Sequence, residues 1–120
     1  VIVHICEEAA WREAQAVGKY CPLSLEVEGF IHASLPEQVL RAANRFYAGQ
    51  DCLVVIWIDP QHTQPPIRYE PADGELFPHI YGPLNLDAVQ AVCRFPSEPD
   101  GVFRRLPPAG SESLELDSLS

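Results

Sequence analysis

The segment that most constrains this chain is Cys52-Leu53-Val54-Val55-Ile56-Trp57-Ile58, an unbroken apolar run rich in β-branched residues and closed by Asp59-Pro60. It is too short for a good helix, and it lacks the apolar–polar alternation of a half-solvated strand. It therefore reads as a central strand covered on both faces. The rest of the chain must supply those covers.

Val1 to Cys6 reads as a second apolar strand. From Glu7 to Val17, Ala10, Ala14 and Val17 recur at helical spacing with Trp11 beside them, and Gly18 suits the C-terminal cap. Lys19 to Glu28, broken by Pro22, is expected to be loop, and Gly29 to Ala33 a short strand. Ser34-Leu35-Pro36-Glu37 has the form of a capping box. It opens a helix whose apolar face is Val39, Leu40, Ala43, Phe46 and Tyr47, ended at Gly49. Short strands are expected at Ile67 to Glu70 and Ala88 to Phe95, with a helical turn at Leu84 to Asp87. The constrained run Phe77 to Pro83 reads as an extended loop or strand edge, and Asp100-Gly101 as a turn before Val102 to Leu106. The expected architecture is α+β: a small split or mixed β-sheet with two main helices. One domain spans 1–107, and a Pro-, Ser- and acid-rich tail, expected to be flexible, spans 108–120.

Charge narrows the partners. Eight basic against 17 acidic residues give a net charge of −9, with a single lysine, Lys19. Nucleic-acid binding needs a basic stripe that displaces counterions, so no nucleic acid is expected. An anionic membrane surface is disfavoured for the same reason, and no apolar run approaches the ~20 residues of a membrane span. Local arginines could still hold one small phosphate. The front of the chain does not read as a signal peptide. Cys6, Cys21, Cys52 and Cys93 have no paired spacing, so they read as reduced thiols and the chain as cytoplasmic.

Candidate chemistry gathers on histidines. In Glu28-Gly29-Phe30-Ile31-His32-Ala33-Ser34, strand alternation turns Phe30, His32 and Ser34 to one face. An imidazole beside an aromatic ring at a helix entry suits a ligand, while His32 donating to a backbone carbonyl is the structural alternative. His4 shares a face with Ile2 and Cys6, where a hydrogen-bonded core residue is the commoner outcome. His79 lies in Phe77-Pro78-His79-Ile80-Tyr81-Gly82-Pro83, a rigid setting suited either to clamping a ligand or to edge packing. His62 is expected in solvent. If Tyr69 faces the core, Arg68 and Glu70 share the opposite strand face, where Glu70 is either a cleft carboxylate or half of a surface ion pair. Three histidines could in principle hold zinc, but their separations are long and no carboxylate motif accompanies them, so no metal is expected. Ser34 lacks a nucleophile elbow.

The ordered set Trp11, Gly18-Lys19-Tyr20, Ser24-Leu25-Glu26, Glu28 to Ser34, Gln38, Ala43 to Tyr47, Ile58-Asp59-Pro60, Tyr69-Glu70, Phe77 to Leu84 and Asp100-Gly101 resembles the bacterial domain-of-unknown-function 952 family. The likeness runs to about Pro107. It implies an ADP-ribosyltransferase-like fold, a split sheet with NAD in a central cleft. By that resemblance His4 would meet the adenosine side and His32 with Ser34 would fill a second-strand position. His79 or Glu70 would complete the set, and Tyr20, Tyr47 or Tyr81 would flank the nicotinamide. The catalytic glutamate of toxin-like members has no clear match. The implied function is ADP-ribosyl transfer or handling of a related small phosphorylated nucleotide. The alternative is a non-catalytic binding or accessory domain with structural histidines.

Overall fold

A computed structural model describes residues 1–109. The expected tail at 108–120 therefore lies almost wholly outside the described residues. In chain order the elements are β1 (Ile2–Glu7), α1 (Glu8–Val17), β2 (Lys19–Tyr20), α2 (Leu23–Val27) and β3 (Ile31–His32). A 3₁₀ turn (Pro36–Gln38) leads into α3 (Val39–Phe46), followed by β4 (Leu53–Ile58), β5 (Ile67–Ala72) and β6 (Glu75–Ile80). The last elements are β7 (Leu84–Asn85), a 3₁₀ turn (Leu86–Ala88) and β8 (Val89–Arg94).

The strands form three small sheets, ordered β1-β4-β8, β2-β7 and β3-β6-β5, and every pairing is antiparallel. The α+β class holds, with three α-helices and small antiparallel sheets where two main helices and a small split or mixed sheet were expected. No helix among the described residues is long and apolar enough to cross a membrane.

β4 is the central strand its composition demands, with all six residues buried. Its alternation defines two cores. Val54, Ile56 and Ile58, with Ile2, Cys6 and Val92, face Trp11 and Ala14 of α1 together with Tyr20, Ile31, Ile80 and Leu84. Leu53, Val55 and Trp57, with Val3, Ile5 and Cys93, face Val39 and Ala43 of α3 together with Phe95 and Phe103. Each fully buried Val or Ile contributes about 1.5–3 kcal/mol, so this strand alone is a large part of the driving force.

Several local expectations are corrected. The Lys19 to Glu28 stretch is not loop: β2 and α2 lie inside it. Lys19 and Tyr20 find partners in Asn85 and Leu84, a pairing between positions too far apart for local periodicity to reveal. The capping box at Ser34 does not form; only one side-chain bond, one residue on, takes its place. Ser34 is engaged by β1, exchanging backbone hydrogen bonds of 2.8 Å with Val3, so the N–H of Leu35 donates instead to Gln38 Oε1 at 2.9 Å. Phe46 is exposed, with Arg45 packed near its ring, while Val39 and Ala43 carry the buried face. Val102 to Leu106, beyond the Asp100-Gly101 turn, runs without regular structure. It is held by Asn44, whose amide donates to the Phe103 carbonyl at 2.8 Å and whose carbonyl accepts the Phe103 N–H at 2.7 Å.

The run Phe77 to Pro83 contributes a middle strand rather than an edge, because β6 pairs with β3 on one side and β5 on the other. A proline inside a middle strand would ordinarily break the ladder. Here Pro78 meets the end of β3, where its carbonyl accepts the Ala33 N–H at 3.1 Å. The missing donor therefore falls where the ladder stops.

Candidate functional site

Antiparallel register builds the site. His32 lies opposite His79, and His79 opposite Arg68, across β3, β6 and β5. Directly opposed residues share a face, as do alternate residues along a strand. Phe30, His32, Arg68, Glu70, His79 and Tyr81 therefore gather on the outer face of this sheet, while Ile31, Ile67 and Ile80 turn inward.

The rings are in contact. Phe30 stacks on His79 with centroids 4.1 Å apart and planes 18° from parallel, and meets His32 edge-on at 4.8 Å. The His32 and His79 rings lie 5.4 Å apart, as do Phe30 and Tyr81. Arg68 lies over the Tyr81 ring, its guanidinium carbon 4.9 Å from the centroid.

Each imidazole has its own carboxylate. His79 Nδ1–H donates to Glu70 Oε1 at 2.8 Å, and the Tyr81 hydroxyl donates to that same oxygen. The two bonds, Tyr81 first, hold the Glu70 carboxyl below its ordinary range, and Glu70 in turn raises the Tyr81 phenol. With Nδ1 fixed as donor, neutral His79 keeps its lone pair on Nε2. This is the orientation by a carboxylate that acid–base histidines require. His32 Nε2–H donates to Glu28 Oε2 at 2.8 Å in a largely exposed pair.

His4 converges on the same place from below. Its Nδ1–H donates to the His32 carbonyl, and its Nε2 accepts from the Tyr20 hydroxyl at 2.6 Å. Cys6 is buried in the same cluster as Tyr20. Burial dominates all three groups. It pulls His4 down to about 4, pushes Cys6 up to about 11 and raises Tyr20.

Of the residues expected from sequence, Phe30, His32, Glu70, His79 and Tyr81 come together, with His4 and Tyr20 beneath them. Ser34 is drawn to β1 and buried. Tyr47 follows α3 and packs on the second core cluster, beyond the central sheet. His62 is exposed and bonds Asp59 in its own loop. Tyr69 does not face the core: it is exposed and helps line a separate hollow with Pro60, Thr63, Gln64, Pro65, Pro66 and Ile67. Glu28 was not recognised as a partner of His32, although its four-residue spacing was available. Strand alternation puts Arg68 on the face of Glu70 but gives no sign that its guanidinium lies on the Tyr81 ring. None of the four cysteines is in a disulfide, with Cys6 and Cys93 buried and Cys21 and Cys52 exposed. Among the described residues no cluster of three or more metal-ligating side chains has a geometry suited to an ion.

Comparison with solved structures finds protein CC0527 of Caulobacter crescentus. Its crystal structure is 30% identical, superposes with a TM-score of 0.78, and matches 86% of this chain and 92% of that one. Its solution NMR structure, also 30% identical, gives a TM-score of 0.73 with 86% and 90% coverage. These names state no activity, and no match is found among curated proteins. The family described as "protein of unknown function (DUF952)" matches residues 5–92, and the chain belongs to that family.

Proposed function

We propose that the outer face of the β3-β6-β5 sheet is an acid–base site acting on NAD or a related small phosphorylated nucleotide, with ADP-ribosyltransferase-like chemistry. The observation that carries this reading is the His79–Glu70–Tyr81 arrangement. One carboxylate oxygen accepts two donors, fixes the imidazole tautomer and turns Nε2 into a competent base. In the reaction, the nicotinamide–ribose bond breaks with its electron pair leaving on nicotinamide. A hydroxyl of water or another acceptor attacks the positively charged ribose carbon, and its proton passes to His79 Nε2. Glu70 stabilises the resulting imidazolium. His32 and Phe30 border the reacting groups. The family resemblance supplies the choice of NAD.

Incubation with NAD and measurement of released nicotinamide tests this. Glu70→Gln and His79→Ala should lower release by about 10²–10⁴-fold, the usual scale for removing a general base. His32→Ala should weaken ligand effects without lowering the melting temperature, since that ring is about half exposed. Absence of release by the wild-type protein would refute the enzymatic reading.

A second reading rests on a specific observation: the Phe30 ring lies flat on His79, which is only 7% exposed. An imidazole covered in this way suits a binding module that holds a nucleotide without turning it over. Binding of NAD with no nicotinamide release would favour that reading.

A further inference from the structure

Arg68 differs from most of the chain's arginines in what holds it. Arg12, Arg41, Arg45, Arg94 and Arg104 each pair with a carboxylate. Arg68 makes no such close ion pair among the described residues, in a chain of net charge −9, although its charge reaches the Glu70 carboxylate and helps to lower it. Its guanidinium rests instead on the Tyr81 ring, and its backbone position lies directly opposite His79. Glu70, on the same strand face, spends its Oε1 on His79 and Tyr81, and Arg68 acts on it through charge rather than through a direct bond.

We propose that Arg68 is the phosphate anchor of this site. A guanidinium lying on an aromatic face is oriented without consuming its in-plane N–H donors, and those donors match two phosphate oxygens at once. The anchor stands beside the His79–Glu70 pair, so the favoured ligand carries a phosphate next to the group that reacts at His79. This assignment rests on the reading of the preceding section and names the residue that holds the nucleotide's phosphate.

The test compares nicotinamide mononucleotide with nicotinamide riboside, which differ by one phosphate, and adds inorganic pyrophosphate as a probe without a base. Binding is measured by calorimetry on wild type, Arg68→Gln and Arg68→Lys. A bidentate charged contact is worth about 10–100-fold in affinity. The wild type should prefer the mononucleotide by that factor. Arg68→Gln should reduce the preference to about 2-fold while leaving riboside affinity unchanged, and Arg68→Lys should retain part of it. A preference that survives in Arg68→Gln, or a wild type that neither prefers the mononucleotide nor binds pyrophosphate, overturns the anchor. The two readings separate cleanly. Nicotinamide release with an unchanged KM in Arg68→Gln removes the anchor and keeps the reaction. Pyrophosphate binding lost in Arg68→Gln, with neither nucleoside compound bound, keeps the anchor and removes the nucleotide reading.

Discussion

Acidification should destabilise this protein through His4 before its carboxylates titrate. The imidazole is 7% exposed, and burial lowers it from 6.5 to about 4. Between those values the unfolded chain takes up a proton that the folded one refuses. Stability contributed by the neutral ring is therefore complete above pH 6.5 and is lost as pH falls toward 4. Linkage puts the loss from this one group at about 2 kcal/mol at pH 5 and about 3 kcal/mol at pH 4. The lowered carboxylates, Asp59, Glu70 and Asp100, act in the same direction but only below the ordinary carboxylate range, so the window from pH 6.5 to 5 isolates the histidines. Urea unfolding at pH 7, 6, 5 and 4 measures the slope, and His4→Gln removes the titrating ring. The slope in that window should be steeper in wild type than in the variant by up to one proton, even if the variant is less stable at every pH. A wild-type stability flat from pH 6.5 to 5, or an NMR titration of His4 with its midpoint near 6.5, would refute the reasoning.

Two further substitutions probe the frame around the site. Tyr20→Phe removes the donor to His4 Nε2 and leaves a buried acceptor unpaired, which should cost about 1–3 kcal/mol in chemical denaturation. Gly82→Ala puts a Cβ 2.8 Å from the Pro65 Cβ, close to where the Tyr81 N–H donates to the Pro66 carbonyl. The overpacking should destabilise by about 1–3 kcal/mol and lower the melting temperature measurably.

The elements whose stability is local were legible in the sequence, and those made by distant pairing were not. The run at β4 could be assigned because an unbroken β-branched segment has few other uses. α1 could be assigned because its stripe and Gly18, which adopts φ 96° as its cap, agree. β2 is two residues long and exists only because β7 meets it, so nothing within Lys19-Tyr20 announces it. The same division holds at the site. Alternation correctly placed Phe30 and His32 together, and Arg68 and Glu70 together. That His32 stands opposite His79 follows from a register between residues 47 apart in sequence, which single-chain pattern reading cannot supply. Ser34 departs from its expected place because its backbone pairs with Val3 of β1, a contact 31 residues away in sequence, and the helix entry begins one residue later at Leu35.

The three imidazoles converge in space but form two tiers with different chemistry. Both nitrogens of His4 are engaged, one by the His32 carbonyl and one by Tyr20, so a ligand could reach that ring only by breaking a buried bond. Its environment keeps it neutral, and its bond to the His32 carbonyl ties β3 to β1. His79 has the opposite disposition, with one nitrogen fixed by a carboxylate and the other left for a proton. The ordering of roles follows from this contrast. The lower tier sets where His32 sits, and the upper tier holds the imidazole whose second nitrogen is left for a proton. A change at Tyr20 should accordingly act on the upper tier through backbone position, whereas a change at Glu70 acts on it through the tautomer of His79.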